Sequence, residues 1–306
     1  MMGKERLEEV VGRVLLPMIT PFREDGEIDY DLASDLARML VERKLCDSII
    51  VCGTTGEFYA LSMEERKRLM AVIKEAVGNE IPLIAGTGAI YTRDAIELTK
   101  EAESLGYNAV MVVSPYYCKP EQDGMFEHFK AVAESTSLPV ILYNIPLFTG
   151  VNISPDLVAR LSEIENIKAI KEEAAMNPTQ TSEFFLAKRS DDFVIYSGDD
   201  TMILQVLCQG GVGVVSGGSH IVGDMVKEMI DSFLKGDVEK AIELNLKLYP
   251  FFKALSGKGR INPIPMIKEA VSMTWRNVGS PRPPLLPATQ EEREMLLKVL
   301  RSIGKI

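Results

Sequence analysis

Eight times along the chain a short run of Val, Ile and Leu gives way to a longer segment of helical spacing, and that alternation constrains the fold more than any other feature. The runs occupy residues 14–20, 48–53, 82–86, 109–115, 139–144, 167–171, 193–198 and 212–217. Odd and even positions alike are apolar in most of them, as strands covered on both faces require. In the segments between, Leu32, Leu36 and Leu40 share one helical face, and so do Leu69, Val72, Ile73 and Ala76. Ser62 with Glu65 spells a capping box, while Ser154-Pro155-Asp156 sets a cap and a first-turn proline ahead of Leu157. Each strand-plus-helix unit takes about 30 residues, the length of a βαβ step.

Eight such units predict an α/β fold, a (β/α)8 TIM barrel. A doubly wound sheet is the rival. It would usually carry a G-x-G-x-x-G turn after its first strand, and residues 20–25 contain none. The barrel through strand 8 is assigned to residues 1–223. Residues 224–306 hold the last barrel helix and a helical extension, with helices predicted over 238–255, 264–275 and 290–303. A proline-rich turn at 280–287 separates two of these, and the whole chain reads as one continuous unit.

The rest of the composition narrows partners and setting. With 306 residues, 46% of them hydrophobic, the chain can bury a large core. No apolar run is long enough to span a bilayer, and Met1 to Val14 is too charged for a secretion signal. A net charge of −10 disfavours nucleic acid or an anionic membrane as partner. Cys46, Cys52, Cys118 and Cys208 are scattered with no C-x-x-C pairing, as reduced intracellular thiols would be. A cytoplasmic protein is expected.

In a (β/α)8 barrel chemistry sits at the C-terminal ends of the strands. Those ends carry Gly53-Thr54-Thr55-Gly56-Glu57, Ser114-Pro115-Tyr116-Tyr117, Tyr143-Asn144, Lys171-Glu172 and Val215-Ser216-Gly217-Gly218-Ser219. Only two histidines are present. His128 falls in a helical pattern and reads as a surface or packing residue. His220 alone could serve a Ser-His-Asp triad, and no G-x-S-x-G elbow accompanies it. A zinc aldolase would need several histidines at strand ends, so neither a metal nor another cofactor is expected.

Lys171 is the informative residue, closing an apolar strand on the face of Ile167 and Ala169. A lysine amine must be neutral to attack a carbonyl, which from a free pKa of about 10.4 costs about 4.6 kcal/mol at pH 7. Desolvation in a barrel mouth removes much of that cost. A lysine snorkelling to solvent is the plainer outcome, and it is the one read for Lys168. Glu172 should point away from the amine, because successive strand side chains alternate. Tyr143 closes the neighbouring strand about 5 Å away, where its phenol is either an acid/base at an imine or a core hydroxyl tied to backbone. Thr54 and Thr55 form either a small carboxylate-binding cup or a tight turn that needs its glycines. Gly217 and Gly218 are turn glycines or make room for a ligand, even a phosphate, with Val214 and Val215 as an apolar wall.

Together these segments resemble the dihydrodipicolinate synthase / N-acetylneuraminate lyase superfamily of Schiff-base pyruvate enzymes. The match also takes in Gly86-Thr87-Gly88-Ala89, Leu142-Tyr143-Asn144-Ile145-Pro146 with Thr149-Gly150, Ser197-Gly198-Asp199-Asp200 and Asn262-Pro263-Ile264-Pro265, in order over nearly the whole chain. The resemblance implies a metal-independent lyase or aldolase that joins pyruvate to an aldehyde or cleaves a larger 2-oxo acid. It implies that Lys171 forms the imine and that Tyr143 is the general acid/base. It gives Thr54 and Tyr117 a proton relay, Tyr117 reaching to a neighbouring subunit's site. Thr54 and Thr55 would hold the pyruvate carboxylate, Val215 would line the pocket, and the assembly would be a homotetramer, a dimer of dimers.

One position departs from the synthase pattern. Where synthases carry an arginine before Thr-Gly to grip the semialdehyde carboxylate, this chain has Phe148. Phenylalanine cannot bind a carboxylate as arginine does. Phe148 points toward aldolases of sugar-derived 2-oxo acids, while Gly53-Thr54-Thr55 looks more like the synthase branch, and Cys118 stands where that branch often has asparagine. Two alternatives stay open: a true 4-hydroxy-tetrahydrodipicolinate synthase using aspartate semialdehyde, and a catalytically silent pyruvate-binding protein.

Overall fold

The eight apolar runs form strands because neither face of any run is polar enough to meet water. In the computed structural model, which describes residues 6–173 and 177–306, the strands are parallel neighbours in the order β1 to β8 and close into a barrel. Residues 1–5, the head of the charged N-terminal stretch, lie outside the described residues. The first half runs α1 (Leu7–Val11), β1 (Val14–Pro17), α2 (Tyr30–Glu42), β2 (Ser48–Val51), α3 (Met63–Val77), β3 (Leu83–Gly86), α4 (Thr92–Ser104), β4 (Ala109–Val113) and α5 (Gln122–Glu134). It continues with β5 (Val140–Asn144), α6 (Pro146–Thr149), α7 (Pro155–Leu161), β6 (Ile167–Glu172), α8 (Gln180–Ala187), β7 (Val194–Ser197), α9 (Ile203–Cys208) and β8 (Gly213–Val215). Four longer helices follow: α10 (Ser219–Leu234), α11 (Val238–Leu255), α12 (Ile264–Thr274) and α13 (Gln290–Ser302). The three helices expected beyond the barrel are thus present.

The expected helix starts have a visible cause. Ser62 accepts from the Glu65 amide while the Glu65 carboxylate takes the Ser62 N–H, so the capping box closes α3 from both sides. Ser154 caps α7 through the Leu157 amide, with Pro155 in the first turn. Thr289 and Glu292 repeat the capping box at α13. The apolar faces are buried as the spacing requires: Leu36 and Leu40 on α2, Leu69 and Ile73 on α3.

The chain gathers into two compact units. One runs to Leu15 and resumes over Pro82–Val215, the other comprises Leu16–Ile81 and Ser216–Ile306. In the first, β3 to β8 pair in sequence and β1 pairs with β8 through Leu15 and Val215. In the second, α2 packs on α3, and α10 to α13 pack on one another. Gly223 shows how close that packing is: a Cβ there would lie 1.7 Å from the Leu45 carbonyl oxygen.

One strand departs from simple alternation. The register of β5 with β6 shifts between Val140 and Ile141, which pair with Ile167 and Ala169. Lys168 is the extra residue of this bulge, and it turns Ile167 to the opposite face from Ala169 and Lys171. The expectation that Ile167 shares the Lys171 face therefore fails, whereas Ala169 keeps it. Lys168 does not simply snorkel either, since its Nζ lies 2.7 Å from Asp192 Oδ2.

Candidate active site

The first unit brings Lys171 and Tyr143 together. They are direct register partners at the ends of β6 and β5. The Lys171 Nζ lies 3.9 Å from the centre of the Tyr143 ring, and the two residues are 5% and 3% exposed. Both side chains are thus closed off from bulk water. Gly198, which follows β7, leaves room for the lysine stem: a Cβ on it would sit 3.0 Å from Lys171 Cε. Val215 closes β8 and is buried, as an apolar wall should be.

Glu172 turns away from Lys171, as alternation requires. Its carboxylate accepts from Asn144 Nδ2 at 2.8 Å and from Gln180 Nε2 at 3.2 Å. Asn144 also donates to Asn152, which exchanges hydrogen bonds with Gln180. Burial pushes the Glu172 carboxyl up to about 7 against these two amide donors. This amide cluster pins β5 and β6 one residue beyond the Tyr143–Lys171 pair.

Two further groups flank the lysine. Glu173 prolongs β6, its N–H donating to the Asn144 carbonyl at 3.1 Å. By alternation its side chain returns to the Lys171 side. Burial pushes Glu173 up to about 8, opposed by the Lys171 ammonium and reinforced by Asp199. Asp199 is held in turn by the Thr201 amide at 2.6 Å and hydroxyl at 2.7 Å. Phe148 lies in α6, the short helix just after β5, and is 37% exposed. Tyr117 is 89% exposed in a left-handed backbone conformation.

The second unit carries Thr54 and Thr55 in a 3-10 turn after β2, each partly exposed. Gly56 donates to the Gly53 carbonyl and Glu57 to that of Thr54. Gly56 could not carry a side chain, since its Cβ would meet the Met18 carbonyl oxygen at 2.9 Å. Beneath the turn, Glu57 is fully buried and left-handed, its Oε1 2.7 Å from Lys268 Nζ. Its Oε2 accepts from the Arg282 N–H at 2.9 Å. Arg282 in turn bonds Gly26, Ala60 and Glu65.

The histidines are structural. His220 accepts from the Ile19 N–H at Nε2 and sets Nδ1 2.8 Å from the Gly217 carbonyl, so both nitrogens are engaged with backbone and no triad base remains. His128 is a packing residue, buried edge-on to Phe129 with Nδ1 3.0 Å from the Thr92 hydroxyl. Sequence reasoning missed Glu173, Glu57 and Lys268. Alternation past Lys171 would have flagged the first, and a lysine on the apolar face of α12 the last.

The Dihydrodipicolinate synthetase family model matches residues 10–303, and with it the motifs that hold Lys171, Tyr143 and the threonine turn. The chain belongs to that family. It is accordingly an enzyme of the Schiff-base pyruvate lyase class, built on the TIM barrel the alternation predicts. This family member is 48% identical over 290 residues to the 4-hydroxy-tetrahydrodipicolinate synthase of Desulforudis audaxviator, covering 95% of this chain and 97% of the relative. The dihydrodipicolinate synthase of Cyanidioschyzon merolae, solved with lysine bound, superposes with a TM-score of 0.92 at 39% identity, covering 97% and 99% of the two chains. The chloride-inhibited enzyme of Acinetobacter baumannii, solved with pyruvate, gives 0.90 at 35% identity over 97% of this chain and all of that one, 100%. None of the described helices is long and apolar enough to cross a membrane.

Proposed function

We propose that this family member joins pyruvate to an aldehyde, or cleaves the corresponding larger 2-oxo acid, through an imine on Lys171. The observation that carries the reading is the buried pairing of the Lys171 amine with the Tyr143 ring across β5 and β6. The amine attacks the ketone carbon of pyruvate and water leaves, forming the imine. Loss of a methyl proton then gives an enamine that adds to the aldehyde carbon, and hydrolysis frees the product and the lysine. Tyr143 is the acid/base of these proton transfers.

The remaining roles follow the family pattern. Thr54 and Tyr117 relay protons, with Tyr117 serving a neighbouring subunit in a homotetramer built as a dimer of dimers. The outward, 89% exposed side chain of Tyr117 supports that assignment. Thr54 and Thr55 hold the pyruvate carboxylate, and Val215 lines the pocket. The reading includes a cytoplasmic setting and neither metal nor cofactor. That the A. baumannii relative was solved with pyruvate supports the first substrate.

A second reading makes aspartate semialdehyde the acceptor. The name of the Desulforudis relative favours it. Phe148 weighs against it, because no cation stands at that position for the acceptor's carboxylate. Borohydride reduction in the presence of pyruvate, followed by peptide mass spectrometry, tests the imine. A 1-carboxyethyl adduct on Lys171, the reduced imine of pyruvate, is expected, and an unmodified lysine refutes the mechanism. Turnover with aspartate semialdehyde in a coupled assay decides the second reading.

A further inference from the structure

We infer that Lys268, a cation of the C-terminal extension, is a positioning residue for the threonine turn, acting through Glu57 to hold Thr54 and Thr55 in the shape that receives the pyruvate carboxylate. The inference rests on the reading that this turn binds that carboxylate. Its first support is backbone strain. Two non-glycine residues in the left-handed region bracket the turn, Cys52 at φ 60° and Glu57 at φ 57°. Such backbone persists only where surrounding contacts over-determine it. Thr20 supplies one of them, donating its hydroxyl to the Gly56 carbonyl at 2.7 Å, and the Cys52 thiol lies 3.7 Å from the Arg66 carbonyl oxygen. The extension supplies the rest. It grips the Glu57 carboxylate through the 2.7 Å ion pair with Lys268 and the 2.9 Å bond from the Arg282 N–H. The Asn262-Pro263-Ile264-Pro265 motif, to which the imine chemistry gives no work, opens α12 and sets Lys268 just past its first turn, with the Asn262 side chain accepting from the Ile264 N–H at 3.0 Å.

The grip is itself held firmly. Arg282 donates to the carbonyls of Gly26 at 2.9 Å and Ala60 at 2.8 Å and to the Glu65 carboxylate at 3.0 Å, tying the segment after the turn to the extension. The Phe22 ring faces both cations, 4.0 Å from Lys268 Nζ and 4.7 Å from Arg282 Cζ. Gly279 leaves no slack between them and the loop of Phe22: a Cβ there would lie 2.0 Å from the Phe22 carbonyl oxygen. Stability alone does not account for the ions. Attraction within a buried pair barely offsets the hydration that both partners give up, and apolar side chains of similar size would pack as well. What the charges add is direction. An ammonium on Oε1 and an amide N–H on Oε2 leave the Glu57 carboxyl one orientation. With Glu57 fixed, its own N–H stays on the Thr54 carbonyl at 3.0 Å and the turn keeps its form. Without Lys268 the strained backbone of Glu57 is free to relax, and Thr54 and Thr55 move with it.

The test follows the reduced imine on Lys171 under borohydride, formed from pyruvate or from its methyl ester, in the full-length protein. Only pyruvate has a carboxylate for the turn to hold. Wild type should reach half-maximal trapping with pyruvate at a concentration at least tenfold below that needed with the ester. The Glu57→Gln/Lys268→Met variant leaves no ion unpaired, so a merely structural pair predicts wild-type behaviour. The positioning role predicts a pyruvate value raised tenfold or more, with the maximal rate and the ester value within threefold of wild type. Glu57→Asp keeps the charge but withdraws the carboxyl by one methylene, and should shift pyruvate alone by threefold or more. A folded double variant that traps pyruvate as wild type does overturns the positioning role; if that variant does not fold, an unmoved Glu57→Asp overturns it instead. A rise shared equally by pyruvate and the ester also overturns it, since that marks general loss of the site. A wild type that traps both ketones alike refutes the carboxylate-binding turn, and one that traps neither refutes the imine.

Discussion

Replacing Lys268 with methionine removes a charge and little volume from the base of the threonine turn. The ammonium lies 2.7 Å from Glu57 Oε1, 3.2 Å from the Ser280 carbonyl and 4.0 Å from the centre of the Phe22 ring, with the two charged side chains 2% and 0% exposed. Burial pushes Lys268 down to about 8 despite the pull of Glu57. It likewise raises Glu57 despite Lys268 and Arg282. Desolvation therefore outweighs attraction for each partner, so the intact pair contributes little net stability although losing half of it is expensive. Lys268→Met leaves a carboxylate buried with only the Arg282 backbone N–H and should cost about 3–5 kcal/mol. The Glu57→Gln/Lys268→Met protein should recover most of that, to within about 1–2 kcal/mol of wild type. At roughly 2–4 °C per kcal/mol the single variant melts roughly 6–20 °C lower. With its partner gone, Glu57 has a folded pKa above the unfolded one. The stability tied to its protonated form is complete in acid and lost as pH rises through the folded value, so the deficit should widen from pH 5 to pH 8. Thermal melts of wild type, both single variants and the double at the two pH values measure this. A Lys268→Met deficit no larger than that of the double variant, or one that shrinks with rising pH, refutes the coupling.

Other outcomes follow from the same geometry. Tyr143→Phe should lower kcat by roughly 10²–10⁴-fold if the phenol moves protons, and steady-state kinetics showing less than a tenfold change removes it from the chemistry. Glu172→Gln should gain on wild type by on the order of 2–3 kcal/mol between pH 5 and pH 8, read by urea unfolding. The reason is that the wild-type carboxyl, raised from 4.5 to about 7, gives a contribution present below pH 4.5 and lost as pH passes 7. Gly223→Ala should destabilise by several kcal/mol or prevent folding, because the clash at 1.7 Å is with backbone and no rotamer relieves it. Soluble expression and a melting temperature near wild type would contradict that packing.

The barrel was legible from sequence because every strand and helix advertises its own burial. Apolar runs with both faces hydrophobic mark β1 to β8, and Ser62–Glu65 and Ser154–Pro155 mark helix starts through hydrogen bonds made within three residues. The same local logic placed Lys171 at a strand end and turned Glu172 away from it. Resemblance to a family supplied what local logic could not, namely the expectation that the lysine and Tyr143 act as a pair.

The remaining features depend on contacts between residues far apart in the chain. The bulge at Lys168 redirects Ile167, and it exists because β6 must match the register of β5, which no reading of β6 alone reveals. His220 spends both nitrogens on the backbone of Ile19 and Gly217, a partnership spanning 201 residues on one side. Glu57 and Lys268 find each other across a similar distance. Hydrophobic period is a property of one segment and can be read from it. The ionisation of a buried acid depends on which groups the fold brings within a few ångströms, and that is known only when the chain has closed.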